Sequence, residues 1–182
     1  MKISKVDNSD LLIFSPETFE DERGYFFESF NQQRFENLSK QKFDSVQDNE
    51  SKSVQGTLRG FHYQLGPYTQ SKLVRVVDGE VLDVVVDLRK TSKNFGKHWS
   101  FILSSANKKQ LFIPQGYAHA FLTLSNTAIF SYKVDNYFSQ DHERTIIWND
   151  KFLKIDWKFN ESNITISDKD KKGLKFSEAE YL

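Results

Sequence analysis

Apolar and polar residues alternate along much of this chain in short runs, the period-two pattern of strands with one buried face. Leu58–Gln64, Lys72–Val77 and Glu80–Leu88 carry the clearest alternation. Further strands are predicted at Gly24–Phe30, Ser45–Asn49, Trp99–Leu103, Gln110–Ile113, Ala118–Leu124, Ala128–Val134 and Thr145–Trp148. Turn residues interrupt these runs at regular spacing, as expected for a sandwich or barrel. Asp78-Gly79 reads as a two-residue type I′ turn joining Lys72–Val77 to Glu80–Leu88 in a hairpin. On the return strand Leu82, Val84, Val86 and Leu88 share one face, and Val81, Asp83, Val85 and Asp87 the other. Helix is sparse: Asn31–Leu38 is predicted, capped by Asn31 and burying Phe35 and Leu38. The tail from Asn160 is polar and charged, and its composition predicts a surface loop. With no internal repeat or linker, residues 1–182 read as a single all-β domain with a few short helices.

Composition narrows the function. Lysine plus arginine and aspartate plus glutamate number 25 each, so no global field favours nucleic acid or an anionic membrane, and any anion site must be local. The absence of cysteine excludes thiolate nucleophiles, disulfides and cysteine-based zinc sites. Met1–Asp7 lacks the apolar core of a signal peptide and no long apolar run occurs, which predicts a cytoplasmic protein. Aromatics form 15% of the chain, 17 of them Phe, against three prolines. That bias favours sheet, and most of these rings are expected to be core.

The chemistry concentrates around Leu58-Arg59-Gly60-Phe61-His62-Tyr63-Gln64. A histidine lies in a strand, with an arginine suited to phosphate three residues before it and Lys72 ten residues after it. Base, anion-binding cation and lysine together point to proton chemistry on an anionic substrate. Arg59 and His62 have opposite parity on a regular strand, so a bulge at Gly60, or contact with a substrate wrapping the strand end, is needed for both to serve one site. Alone, a strand histidine is more often structural, Tyr132 reads as a core tyrosine, and Asp170 as an ordinary charged tail residue. Ile113-Pro114-Gln115-Gly116-Tyr117-Ala118-His119 resembles the second motif of cupins, in which the histidine is a metal ligand. Here Tyr63 and Gln64 follow His62 where a second histidine ligand would be expected, and His98 and His142 sit in polar, turn-like contexts. Two histidines without a clustered third ligand make a poor transition-metal site, so no metal is expected.

Nearly the whole chain resembles the dTDP-4-dehydrorhamnose 3,5-epimerases, cupin-fold enzymes of deoxysugar biosynthesis. The resemblance runs through Asp21-Glu22-Arg23-Gly24-Tyr25-Phe26-Phe27-Glu28-Ser29-Phe30, Val46-Gln47-Asp48-Asn49, the Arg59/His62/Lys72 cluster, Trp148-Asn149-Asp150 and Ser167-Asp168-Lys169-Asp170. It implies a cupin-type jelly roll, built as a homodimer, with no cofactor. The implied reaction inverts carbons 3 and 5 of dTDP-4-dehydro-6-deoxy-glucose to give dTDP-4-dehydro-rhamnose. His62 is implied as the base oriented by Asp170, Tyr132 as the acid and Lys72 as the enolate-stabilising cation. Arg23, Glu28, Gln47, Asp48, Asn49, Arg59, His119, Phe138, Glu143 and Lys169 are implied as substrate contacts. Phe138 replaces the family's usual tyrosine on the nucleotide base; it can stack but offers no hydroxyl. A sibling that inverts only carbon 3 or carbon 5, or acts on a related nucleotide 4-keto sugar, shares the same acid–base residues, and a non-catalytic sugar-binding cupin is the more distant alternative.

Overall fold

In a computed structural model, which describes residues 1–182, fourteen strands and one α-helix build a jelly roll of two facing sheets. The first sheet contains β1 (Lys2–Lys5), β2 (Leu12–Ser15), β5 (Gln47–Val54), β7 (Lys72–Asp78), β10 (Gln110–Ile113) and β12 (Thr127–Val134), ordered β1-β2-β10-β7-β12-β5. The second contains β6 (Thr57–Gln64), β8 (Glu80–Asp87), β9 (His98–Ser104), β11 (Tyr117–Thr123) and β13 (Glu143–Thr145), ordered β13-β6-β11-β8-β9. The two-residue β14 (Thr165–Ile166) adds to β6 in parallel. A separate hairpin pairs β3 (Phe19–Asp21) with β4 (Gly24–Phe26). The helix α1 spans Gln32–Ser39, and Asn31 caps it by accepting the Arg34 N–H. No helix is long and apolar enough to cross a membrane.

Three apolar layers follow from the alternation. Between the sheets lie Val74, Val76, Phe130, Val81, Val85 and Phe121. Outside the first sheet, Phe35 of α1 and Phe43 cover Phe14, Leu73 and Phe112. Outside the second sheet, Leu58, Phe61, Val84 and Ala120 pack beneath Leu153, Trp157 and Phe176 from the C-terminal part of the chain. With both faces of the central strands covered, their sequences are nearly continuous in apolar residues.

Of the two residues expected to be buried by α1, Phe35 is buried but Leu38 is exposed, and two larger expectations also require correction. Asp78-Gly79 is a corner between sheets, not a hairpin turn: β7 pairs with β10 and β12, whereas β8 pairs with β11 and β9. Gly79 still adopts the positive φ expected of the dipeptide, +80°, and a Cβ there would lie 2.1 Å from the Thr127 carbonyl oxygen. Each flanking strand finds its partners elsewhere, because the apolar residues of both must be buried on two faces. The tail from Asn160 is likewise not a surface loop. β14 docks on β6, Phe176 enters the outer core, and a short 3₁₀ turn at Asp170–Lys172 buries Asp170. Its anchoring residues are few and widely spaced, so its mean composition conceals them.

Candidate active site

A cavity of about 350 Å³ opens between the sheets at the end where β6, β7, β11, β12 and β13 meet, within the size range of small-ligand pockets. Arg59 and His62 reach it together because β6 bulges. Against β11, His119 opposes His62 and Phe121 opposes Arg59, so Gly60 and Phe61 together face the single residue Ala120. Gly60 has φ +122°, and a Cβ there would meet the His119 carbonyl oxygen at 2.5 Å and the Ala120 Cα at 2.6 Å. Only glycine allows this approach. The bulge turns Leu58, Phe61 and Tyr63 into the outer core. Arg59 and His62 both face inward, which resolves their opposite parity.

Behind His62 stands Asp170. His62 Nε2 and Asp170 Oδ1 are 2.7 Å apart, and Asp170 Oδ2 accepts the Gly60 N–H at 3.3 Å. Ser167 Oγ accepts the Asp170 N–H at 3.1 Å, fixing the tight turn that presents the carboxylate. Burial works against the charged form of Asp170, but the hydrogen bond and charge of His62 and the Gly60 N–H outweigh it, so its carboxyl lies below the usual range. Asp168 points away and pairs with Lys171 at 3.0 Å.

His119, beside His62 on the next strand, has its own carboxylate: its Nε2 lies 2.8 Å from Asp83 Oδ2, and both residues are buried. The bland setting of Asp83, on one strand face with Val81 and Val85, was the signal for it, since a carboxylate among inward valines requires a partner. Lys72 enters from β7 on the opposite sheet. Burial pulls its amine down to about 8, against the opposing charges of Asp83 and Glu143. Tyr132 faces the cavity from β12. Burial first, then the charge of Glu143, push its hydroxyl above the ordinary phenol value, with Arg59 opposing. At the rim, Lys169 Nζ grips Glu143 Oε1 at 2.6 Å, and Arg59 Nε donates to Ser53 Oγ at 3.1 Å. Asn49 completes the wall.

Other residues implied by the resemblance lie elsewhere in the single chain. Arg23 is 86% exposed on the β3–β4 hairpin and pairs with Asp21. Glu28 pairs with Arg34 at 3.4 Å beside α1. Asp48 faces away from the cavity, paired with Lys133 at 2.6 Å, because successive β5 side chains alternate and Asn49 takes the inward position. Gln47 donates to Asn49 Oδ1 at 2.8 Å and accepts the Phe138 N–H at 3.4 Å, which places exposed Phe138 beside the β5 end of the site. No group of three or more His, Cys, Asp or Glu side chains is arranged to hold a metal ion.

A family model described as dTDP-4-dehydrorhamnose 3,5-epimerase matches residues 5–178. The dTDP-4-dehydrorhamnose 3,5-epimerase of Shigella flexneri is 52% identical over 182 residues, covering 100% of this chain and 99% of that protein. The crystal structure of the enzyme of that name from Elizabethkingia anophelis NUHP1 superposes with a TM-score of 0.94 at 45% identity, over 100% of this chain and 99% of that one. A 3,5-epimerase from Legionella pneumophila Philadelphia 1, solved in complex with dTDP-4-keto-L-rhamnose, gives a TM-score of 0.94 at 42% identity, over 98% of this chain and 94% of that one.

Proposed function

Because the chain belongs to the dTDP-4-dehydrorhamnose 3,5-epimerase family, we propose that this cavity inverts carbons 3 and 5 of dTDP-4-dehydro-6-deoxy-glucose by acid–base proton transfer. The observation that carries the residue roles is the opposition of the His62–Asp170 pair on one sheet to Tyr132 on the other. Inversion needs a base on one face of the sugar and an acid on the other, and facing sheets supply both.

The ketone at carbon 4 acidifies the hydrogens on carbons 3 and 5, because the resulting carbanion delocalises onto the ketone oxygen. Asp170 holds His62 through Nε2, so the neutral imidazole carries its proton there and offers Nδ1 as the base. His62 removes the carbon-bound proton while Lys72 stabilises the enolate oxygen as charge develops on it. Tyr132, kept protonated by burial and by the charge of Glu143, returns a proton from the opposite face. Repetition at the second carbon completes the double inversion. Arg59 serves the diphosphate with Arg23, Phe138 stacks on the thymine, and Asn49, His119, Glu143 and Lys169 position the sugar and its diphosphate.

A homodimer accounts for the residues that stand apart. The β3–β4 hairpin exposes Phe19, Tyr25 and Phe26 at 59%, 56% and 70%, with Arg23 beside them. Burying these rings against a second copy would bring Arg23 and Glu28 to a site that their own chain cannot reach. The reading places one domain of 182 residues at work in the cytoplasm, consistent with a chain that has no cysteine to oxidise.

Incubation with the 4-keto nucleotide in deuterated water, followed by NMR, tests the reaction. Solvent deuterium is expected at both carbon 3 and carbon 5. Label at one carbon alone would make the protein a mono-epimerase, and tight binding without label a silent cupin. Turnover should also survive exhaustive chelation, since no step above calls on a metal. A stoichiometric metal whose removal abolishes turnover would overturn that mechanism.

A further inference from the structure

The reaction as written leaves one buried charge of the site unused. Asp83 is fully buried on β8, with Oδ2 bonded to His119 Nε2 at 2.8 Å. Its other oxygen, Oδ1, is buried without any hydrogen-bond partner. An orphaned carboxylate oxygen is costly inside a protein unless a nearby charge compensates it. Lys72, which enters the cavity from the facing sheet, is a cation on which the charge of Asp83 acts.

The groups around Lys72 single out Asp83. His62 on β6 is engaged by Asp170, Arg59 on the same strand is held by Ser53, and Glu143 on β13 is already gripped by Lys169 at 2.6 Å. His119 on β11 shares Asp83 itself, and Tyr132 on β12 stays neutral. Glu50 on β5 is exposed to solvent. Asp83 is thus the buried carboxylate that both keeps an unpartnered oxygen and bears electrostatically on Lys72.

We propose that Asp83 is a positioning residue and the shared counter-charge of this site: Oδ2 fixes His119 with Nδ1 turned towards the substrate, and the carboxylate's charge holds Lys72 as an ammonium. The inference rests on the epimerase reading, in which only a charged Lys72 can stabilise the enolate. It adds a requirement that the reading alone does not make, namely that a residue behind the cavity wall sets the pH range of turnover.

Asp83→Asn isolates the charge, since the amide oxygen can still accept from His119. Losing an opposite charge at close range lowers a lysine's pKa by roughly one unit or more. Lys72 already lies near 8, and it must be protonated to act, so the alkaline limb of the kcat/KM profile should move to lower pH by that amount. Near pH 6 the variant should approach the wild-type rate, and near pH 8 it should fall about fivefold or more below it. Competitive labelling of the substrate-free enzyme with acetic anhydride, read at Lys72 by peptide mass spectrometry, should show the same shift. An unchanged Lys72 titration, or a uniform loss of kcat/KM at every pH, would overturn the proposal.

If Asp83→Asn does not fold, Lys72→Met gives the reciprocal test: without the cation, Asp83 should take up a proton, visible as the infrared carbonyl band of a buried carboxylic acid. Absence of that band would equally overturn it. The labelling and infrared arms do not depend on turnover. Failure of the wild-type enzyme to exchange deuterium would therefore refute the epimerase reading and leave the Asp83–Lys72 coupling to be judged separately.

Discussion

Deuterium exchange at both sugar carbons is expected to stop when His62 is replaced by alanine. In the proposed mechanism one base serves both positions, so losing it should silence carbon 3 and carbon 5 together. A positioned general base contributes about 10²–10⁴-fold, and the variant should lose at least that much in kcat with a smaller change in KM. His119 is the only other imidazole lining the cavity, and it too carries a carboxylate partner. It packs against Phe130, with ring centroids 5.9 Å apart, and is buried where His62 is partly open. Asp170 would keep only the Gly60 N–H in the variant. A stability loss of roughly 1–3 kcal/mol should accompany the substitution, so the assay belongs well below the variant's Tm. Exchange persisting at either carbon would transfer the role of base at that carbon from His62 to His119.

Local alternation was enough to locate most strands, since β10, β11 and β12 lie where the apolar periodicity places them, and the cap at Asn31 starts α1 within one residue. Pairing was less legible. Asp78-Gly79 has the backbone chemistry of a tight turn, but whether the strands on either side pair with each other or join different sheets depends on distant partners. The site shows the same division. The parity conflict between Arg59 and His62 pointed to a bulge at Gly60 or a substrate wrapping the strand end, and β6 has the bulge. Asp170, by contrast, lies 108 residues from His62, and nothing in the composition around it marks a segment that folds back. Asp83 was visible as a carboxylate among inward valines, yet its partner, His119, could be assigned only once β8 and β11 were seen side by side. Arg23 and Glu28 illustrate a different limit: in the proposed homodimer they would act from another copy, and such a role would leave no trace in one chain's local pattern.

Tyr132→Phe should separate proton removal from inversion. The ring packs against Phe130 with centroids 6.2 Å apart, a contact that phenylalanine keeps, so folding should be nearly unaffected. Only the hydroxyl is lost. In the wild-type protein, burial and the charge of Glu143 keep that hydroxyl protonated well above neutral pH, ready to deliver a proton to the face opposite His62. Without it, His62 can still remove a proton and return it, or a solvent deuteron, to the side from which it came. Exchange with retained configuration should therefore outlast net epimerisation, which should fall by about 10²–10⁴-fold. NMR distinguishes the two, since label in recovered substrate reports removal and label in product reports inversion. Equal loss of both signals would mean that Tyr132 assists proton removal itself, for example by holding the enolate oxygen. Wild-type turnover would return Tyr132 to the core and leave the far face of the sugar without an identified acid.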